Sequence, residues 1–478
     1  MSEEIYLRFK FALCGLGVGV LTLFSEQLIN RDGVLYLQTA QTFIDFGIEA
    51  SFKQYEWPFY SILIAIFPSI TAFDLEHSAQ LINMVLLLVL VDAFVRVYWE
   101  VNSKVMYHWM PALVILCYSG LNDYRVLIVR DWGYWAFLLQ AMLYFIKAYK
   151  YGRLKDYALW QIFILLAFLF RIEAIVVLFF VPLAFLLNKR SISGYLKSVA
   201  VAVAVAVAVA TVVLDTAFYQ IGKFWEFISY LDIDSYGRRF SSYAHKVSAF
   251  AIPYYQKDNS ILFVVSGLLS VGLVKVLSKV GWIYIGILLT GFYRYKISNS
   301  FMASAVNLFI IISLVILFSF FLNSRVIAGR YTIQVTLFLL LYVTYYSELL
   351  FDEIRKQENV WFTGVFFFVL LINLVTGIHH TESNKKYLKV MGRWVAENIA
   401  ESAYITTNDK RLYYYSGGVV NDRISRGFDF KKNKYALLNI KKNDKKYMKL
   451  ILEKKLIPVH SVDGQSKGSA VLFKINTP

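Results

Sequence analysis

The sequence predicts an all-α polytopic membrane domain of about 11 spanning helices, followed by a small C-terminal α/β domain. Hydrophobic residues make up 58% of the 478 positions and charged residues only 17%. Soluble domains carry about 25% charged residues, so this composition excludes a soluble enzyme and a disordered chain. The apolar runs also stop near residue 378, after which Lys, Asn and Tyr dominate. We therefore predict two domains, 1–378 in the membrane and 379–478 outside it.

The spans are assigned from apolar runs, because a helix needs about 20 mostly apolar residues to cross a bilayer. Residues 199–210 alternate strictly between Val and Ala, which resembles a strand, but a lone strand cannot satisfy its backbone in lipid and we predict a helix. The stretches 57–73 and 261–275 are short or interrupted, and we predict that both lie in the interface. The predicted spans are 9–29, 80–99, 108–121, 132–149, 157–171, 173–188, 195–214, 276–293, 300–322, 332–351 and 360–378.

Basic loops set the predicted orientation. Lys and Arg cluster around 147–155, 189–197 and 294–296, and cytoplasmic loops are enriched in these residues. The segments predicted to lie outside are 30–79, 122–131, 215–260, 323–331 and 379–478. The last of these holds 20 Lys and Arg against 9 Asp and Glu, but long domains cross largely regardless of charge. If 57–73 crossed the membrane, the pairs Arg31-Asp32 and Arg130-Asp131 would lie on opposite faces.

Ionisable residues gather at the predicted outer ends of the spans. Charges at membrane depth are costly and commonly functional. Each pair taken alone is explained as well by helix capping, with Asp32 as an N-cap. Together they indicate a pocket for an anionic ligand, because Arg suits bidentate phosphate binding. The arginines are Arg31, Arg130, Arg171, Arg325 and Arg330, and the acids are Asp32, Asp131 and Glu173.

The first outer segment, 30–79, has the pattern of a structured cover over a membrane-surface site. Residues 34–49 place apolar side chains at helical spacing, and Lys53 and Glu56 then precede Trp57-Pro58. An amphipathic segment of this kind lies in the interface plane.

This layout resembles the GT-C membrane glycosyltransferases, in particular the bacterial aminoarabinose-transferase and protein O-mannosyltransferase-like enzymes. The tail resembles the exported domain of such bacterial proteins, through Trp394 to Asn398 and Tyr404 to Asp409. The matching residues elsewhere are Asp32 with Tyr36 and Ala40, Trp57-Pro58-Phe59-Tyr60, Arg130-Asp131, Phe170-Arg171-Ile172-Glu173 and Gly329-Arg330-Tyr331.

The resemblance implies transfer of a sugar from a polyprenyl-phosphate carrier to a lipid, glycan or protein acceptor at the outer face of the cytoplasmic membrane. Asp32 is the expected catalytic base, with Asp131 as a second candidate catalytic carboxylate, and one carboxylate opposite the leaving group implies inversion. Arg130, Arg171 and Arg330 are expected to converge on the carrier phosphate. The other expected substrate-binding residues are Arg31, Tyr36, Lys53, Glu56, Glu173, Arg325 and Tyr331.

No cofactor follows from the sequence. Many members of the family have two adjacent acids in the first outer loop, whereas Arg31 precedes Asp32 here, so neither the presence nor the absence of a divalent metal is predicted. The Lys-rich stretch 431–449 is interpreted as a solvated face or an anionic-lipid contact, and no nucleic-acid partner is predicted.

A transporter or flippase of a lipid-linked or anionic solute is the alternative function. Transporters also carry intramembrane charges, but they commonly contain internal repeats and a site at the midplane, and no repeat is seen here. A third possible function is that of a structural or assembly partner of other proteins, which would not need buried pairs of Arg and Asp. A single cavity lined by Asp32, Arg130 and Arg171 would favour the transferase.

Overall fold

The protein is mostly helical, with a small C-terminal sheet. A computed structural model describes residues 3–23, 28–102, 104–187, 193–194, 196–200, 233–251, 258–296, 300–324, 328–358, 360–378, 385–399, 405–417, 434–441, 451, 453, 456–464 and 468–475. Its helices before the tail are Glu3–Leu23, Arg31–Gln54, Phe59–Ile70, Leu75–Val101, Met110–Leu116, Ser119–Asn122, Asp131–Tyr151, Leu154–Phe170, Ala174–Phe180, Ala184–Leu187, Ile233–Ala251, Ser260–Val280, Trp282–Arg294, Ser300–Ser324, Ile333–Lys356 and Val360–Ile378, with 3-10 turns at Val181–Leu183 and Gly329–Thr332.

Four helices of the described part are long and apolar enough to cross a membrane, which makes the chain a multi-pass membrane protein. Three shorter apolar helices accompany them, at Phe59–Ile70, Ala174–Leu183 and Thr363–Val375. The predicted count of about 11 spans is therefore not confirmed. Most of the predicted span 195–214 lies outside the described residues. The four long helices are Leu75–Val101, Ser260–Val280, Phe301–Leu322 and Gly329–Lys356.

The prediction for residues 261–293 was wrong in both halves. The stretch 261–275, predicted to lie in the interface, belongs to the 21-residue helix Ser260–Val280, because the apolar sequence continues past Lys275. The predicted span 276–293 is broken at Gly281, whose φ of 86° ends that helix. A residue with a side chain rarely adopts such a φ, whereas glycine does so readily. The 13-residue helix Trp282–Arg294 follows.

Two other predicted spans, 108–121 and 173–188, are divided into short helices. Pro111 and Pro182 each stand at the start of a new helical segment, a position that tolerates the missing N–H. The stretch 57–73 forms the 12-residue helix Phe59–Ile70. At 1.5 Å per residue it is about 18 Å long, well short of the roughly 30 Å hydrocarbon core.

The chain divides into two compact units, each built from several stretches. The first unit contains residues 1–15, 86–122 and 131–377, and the second contains residues 16–85, 123–130 and 378–478. In the first unit Trp132, Trp135 and Trp160 are fully buried. Gly133 lets Phe170 approach closely, since a Cβ there would lie 2.3 Å from its ring.

The second unit contains the tail domain, meaning the described residues from 385 to 475. Its helices are Lys386–Asn398 and Lys410–Tyr415, and its sheet has the order β1-β2-β4-β3. β1 pairs parallel with β2, and the other two pairings are antiparallel. Both faces of β4 are buried: Ala470 and Leu472 pack in a cluster with the Lys386–Asn398 helix, and Val471 and Phe473 belong to a second cluster. The strands are β1 (Ile405–Thr407), β2 (Tyr435–Lys441), β3 (Ile457–Asp463) and β4 (Gly468–Lys474).

The second unit also contains the helix Arg31–Gln54, here called the loop helix. Its chain direction changes at Gly47, which has a φ of 79°. Thr42 and Gln54 are hydrogen bonded across this bend. The predicted amphipathic character is present, because Val34, Leu37 and Ala40 are buried. The domain boundary predicted at residue 379 stays a prediction, since the compact units follow a different division.

Candidate functional site

A buried arginine lies between two carboxylates in the first unit. Arg171 is 6% exposed and follows the last residue of the Leu154–Phe170 helix. Its Nη1 donates to Asp131, the first residue of the Asp131–Tyr151 helix. Its Nε donates to Glu173 Oε2 at 3.2 Å, and its Nη2 donates to the other oxygen. We call Asp131, Arg171 and Glu173 the arginine cluster. The sequence predicted all three, and the structure brings them into direct contact.

Tyrosines and a second arginine surround this cluster. The guanidinium of Arg171 lies 4.7 Å from the ring centroid of Tyr331. Arg330 Nη2 donates to the Tyr331 hydroxyl at 3.2 Å. Both residues belong to the 3-10 turn Gly329–Thr332 that opens the Ile333–Lys356 helix. The guanidinium also lies 5.6 Å from the ring centroid of Tyr134, whose hydroxyl donates to Gln334 Oε1 at 2.8 Å. Two tyrosine rings therefore contact the arginine in addition to its two carboxylate partners.

These residues line a small cavity in the first unit. Its volume is about 20 Å³, room for one water-sized molecule. A phosphate or a sugar ring is larger than this cavity, so its binding there requires a rearrangement of the lining residues. The polar lining is Tyr134, Arg171, Glu173, Arg330, Tyr331 and Gln334, and the apolar lining is Trp135, Ile316, Leu317 and Phe320.

The charge of the arginine cluster decides what it can bind. Two carboxylates and one guanidinium sum to one negative charge when all are ionised. Arg171 is therefore already neutralised, and a phosphate beside it needs a further cation. Arg330 is the cation that the structure places on the same cavity. A guanidinium stacked on a tyrosine keeps donors for an anion.

The second unit joins the start of the loop helix to the segment before Asp131. Asn30 Nδ2 donates to the Ile128 carbonyl at 3.1 Å, and the Ile128 N–H donates to Asn30 Oδ1 at 2.9 Å. Asp32 lies two residues from Asn30, and Arg130 lies two residues from Ile128. These two hydrogen bonds join the side-chain amide of Asn30 to the backbone of Ile128. They bring the chain segments that carry two predicted site residues together.

Asp32 is not an N-cap. The loop helix begins at Arg31, and Asn30 holds the N-cap position with its side chain turned to Ile128 instead of to the helix. Asp32 lies in the first turn, where the helix dipole favours an acid. Its side chain is half-buried, between exposed Arg31 and buried Gly33. The N-cap assignment for Asp32 is thereby wrong, and a structural role in the first helical turn stays the alternative to a catalytic one.

Arg130 contacts the residue that directly follows the loop helix. Its guanidinium lies 5.6 Å from the ring centroid of Tyr55. Tyr55 and Tyr60 both make edge contacts with Tyr36, at 5.7 and 5.3 Å between centroids. Tyr36 is 4% exposed, so this predicted binding residue is part of the aromatic packing under Arg130.

Of three other predicted site residues, two are exposed and one lies outside the described residues. Lys53 forms an exposed ion pair with Glu49 at 2.8 Å, an i,i+4 contact of the kind that contributes little to stability. Glu56 is exposed. Arg325 lies outside the described residues.

Sequence reasoning missed the residues that hold this site in place. Tyr60 donates to Asn83 Oδ1 at 2.7 Å, and Asn83 Nδ2 donates to the Leu127 carbonyl at 3.0 Å. Asn30 was missed for the same reason, since a neutral side chain that binds a distant backbone has no signature in the sequence. Over the described ranges, no group of three His, Cys, Asp or Glu residues is placed to hold a metal ion.

Within the second unit, residues 28–31 link two other segments of the chain. Residues 28–31 contact both the loop 123–130 and the tail domain, and Leu28 belongs to the core of the tail domain. Arg31-Asp32 and Arg130 therefore lie within two residues of one contact in the second unit, and their placement on the same membrane face stays a prediction. Asp32 and Arg130 lie in one unit and Arg171 in the other, so the predicted single cavity stays a prediction.

Two solved structures share the fold of this chain. The Archaeoglobus fulgidus oligosaccharyltransferase, tethered with an acceptor peptide containing the NVT sequon, aligns with a TM-score of 0.52 and 12% identity over 90% of this chain and 66% of its own. ArnT from Cupriavidus metallidurans, in the apo state, aligns with a TM-score of 0.57 and 11% identity over 97% of both chains.

Both solved structures are of GT-C glycosyltransferases, so the predicted resemblance to that superfamily is confirmed at the level of the fold. No protein-family model matches the chain, and no curated protein matches it in sequence.

Proposed function

We propose that this protein is an integral membrane glycosyltransferase that transfers a sugar from a polyprenyl-phosphate carrier. The observation that carries the proposal is the fold shared with ArnT over 97% of both chains. The acceptor is a lipid, a glycan or a protein, and transfer takes place at the outer face of the cytoplasmic membrane. The tail domain is extracytoplasmic in this proposal, because it contacts the residues that precede Asp32.

Asp32 acts as the general base in this mechanism. The acceptor hydroxyl gives its proton to the Asp32 carboxylate while its oxygen attacks the anomeric carbon. The bond from that carbon to the carrier phosphate breaks on the opposite face, so the sugar inverts. Asp32 suits the role because it is half-buried at the start of a helix whose first residues are held on two sides.

The leaving group is the carrier phosphate, on which negative charge grows as the bond breaks. Preorganised cations stabilise such charge best where water is scarce. Arg130, which lies in the same unit as Asp32 and contacts the ring of Tyr55, is the cation proposed for this role, since Arg171 already has two carboxylate partners. Asp131 and Glu173 then hold Arg171 in place, and a direct catalytic role for Asp131 stays a prediction.

The test is an assay of the purified protein with a panel of polyprenyl-phosphate sugars, which measures release of free polyprenyl phosphate. Acceptors in the panel include a peptide, a lipid and a glycan, because the archaeal relative in fold was solved with an acceptor peptide. Active turnover with any donor supports the proposal. No transfer from the whole panel, together with passage of a labelled donor across a vesicle membrane, would favour the flippase instead.

Asp32→Asn locates the base within the same assay. It keeps the shape of the side chain but cannot accept a proton, so turnover should fall by about 10²–10⁴. Asp45→Asn is the matched control, since Asp45 is an exposed acid on the same loop helix that accepts only from Gln41 among the contacts seen. It should stay within about twofold of wild type. Near-normal turnover of Asp32→Asn would remove Asp32 from the mechanism.

A further inference from the structure

The chain immediately before Asp32 enters the core of the tail domain. Leu28 is 3% exposed and packs in a cluster with Leu388, Met391 and Leu412. These partners lie about 360 residues further along the chain. A buried leucine makes many close contacts, so its position is tightly defined by the cluster. The tail domain therefore holds one end of the tetrapeptide 28–31.

The helix Lys410–Tyr415 contacts the same tetrapeptide at two points. The Ile29 N–H donates to the Tyr415 hydroxyl at 3.2 Å. At the other end of that helix, Arg31 Nη2 lies 3.8 Å from Asp409 Oδ2. Buried backbone N–H groups need a partner, and Ile29 is 3% exposed, so the tyrosine hydroxyl supplies a bond that the local backbone does not.

Asp409 is a rigid part of this contact. It is 1% exposed, and it accepts from the Arg411 guanidinium at 2.8 and 2.9 Å and from Asn439 Nδ2 at 3.1 Å. Burial alone would raise the pKa of Asp409, but the hydrogen bonds and charge of Arg411, with Arg31, lower it below the ordinary value. Arg31 itself is 68% exposed, so its ion pair adds little and Leu28 and Tyr415 carry most of the contact.

The opposite side of the tetrapeptide is fixed by the loop 123–130. Asn30 makes its two hydrogen bonds to Ile128 there. Gly33 allows this approach, because a Cβ at that position would lie 2.8 Å from Asn30 Oδ1 and 3.0 Å from Ile128 Cβ. Residues 28, 29 and 31 thus contact the tail domain, and residue 30 is bound to the loop.

We propose that the tail domain is a positioning element for Asp32, and that Tyr415 and Leu28 are its positioning residues. The inference rests on the proposed function, because it assigns the positioned group a catalytic role. The start of the loop helix has no other anchor at residues 28 and 29 among the contacts described. A shift of about 1 Å at a catalytic group can cost on the order of 10²-fold in rate, so loss of one anchor affects turnover before it affects binding.

Tyr415→Phe tests this proposal, since it removes the hydroxyl and keeps the ring that packs against the tail core. Tyr413→Phe is the matched control, because Tyr413 lies on the same helix and its hydroxyl makes no hydrogen bond within the described ranges. Full-length protein in detergent is used for two measurements: hydrogen–deuterium exchange of the peptide spanning 28–35, and steady-state kinetics with a polyprenyl-phosphate sugar.

Tyr415→Phe should raise exchange in that peptide by roughly 5–30-fold, as expected when a buried N–H loses its partner. Its kcat should fall by about tenfold or more, with KM for the donor within about twofold. Tyr413→Phe should match wild type in both. Unchanged exchange, unchanged kcat, or equal losses in the two variants would each overturn the positioning role.

Failure of the proposed function would give a different combination of activity and exchange results from failure of the positioning role. Wild-type protein inactive with every donor, but with raised exchange in Tyr415→Phe alone, would refute the transferase and leave the contact itself established. Active wild type with normal Tyr415→Phe turnover would refute the positioning role and leave the transferase.

Discussion

Replacement of Arg171 by Met should lower the stability of the first unit much more than loss of one surface ion pair would. The change leaves the carboxylates of Asp131 and Glu173 without their cation. Asp131 is 1% exposed, so its carboxylate cannot be rehydrated without rearrangement, whereas the side chain of Glu173 is 20% exposed and keeps some access to water. Removal of one partner from a buried pair costs about 3–5 kcal/mol.

A compensated variant separates the charge effect from lost packing. Arg171→Met combined with Asp131→Asn and Glu173→Gln leaves no charge in the arginine cluster. Burial of a neutral amide costs far less than burial of an unpaired charge. The triple variant should therefore recover most of the stability that the single variant loses, which is the reverse of ordinary additivity for three substitutions.

Thermal unfolding in detergent measures this, with a thiol-reactive dye as the reporter. Cys117 is buried and Cys14 is exposed, so a Cys14→Ser background makes Cys117 the reporter of unfolding. At roughly 2 °C per kcal/mol, the low end for larger chains, the single variant should melt about 6–10 °C below its background. A single variant within about 2 °C of the background, or a triple variant that falls as far as the single one, would refute the reasoning.

Two further predictions concern the second unit. Gly33→Ala should lower the melting temperature and raise exchange in residues 28–35, because its Cβ would displace the contact with Ile128; Gly364→Ala, which meets nothing within 4 Å, should have neither effect. The pKa of Asp409 is lower in the folded protein than in the unfolded protein, where it is near 3.9, so the ionised carboxylate stabilises the fold at pH values above the unfolded pKa. This stabilisation is lost as the pH falls through the folded pKa. The melting-temperature gap between wild type and Asp409→Asn should therefore narrow below about pH 4, and a gap constant from about pH 6 to 3 would contradict it.

The arginine cluster shows what residue type and local position predict well. Arg171 and Glu173 were predicted as site residues because charged side chains beside apolar runs are energetically costly and commonly functional. This cost can be recognised from the local sequence. Asp131 was predicted on the same ground. What residue types could not show is that Arg171 is shared by both acids, which reduces its capacity to bind a phosphate.

The fold class was predictable because burial in lipid depends on apolar length, a property of each segment by itself. The helices Leu75–Val101 and Gly329–Lys356 lie over predicted spans for this reason. The end of the helix Ser260–Val280 was misplaced because it depends on the conformation of Gly281, which sequence alone leaves open.

The sequence by itself determined that this is a multi-pass membrane protein with charged residues at the ends of its apolar runs. Only the tertiary structure decided that Leu28 belongs to the core of the tail domain and that Tyr415 binds Ile29. The physical reason is that hydropathy and periodicity are summed over neighbours in the chain. Contacts between residues more than 350 positions apart depend instead on how the segments pack in space, and a leucine or a tyrosine carries no mark of its distant partner.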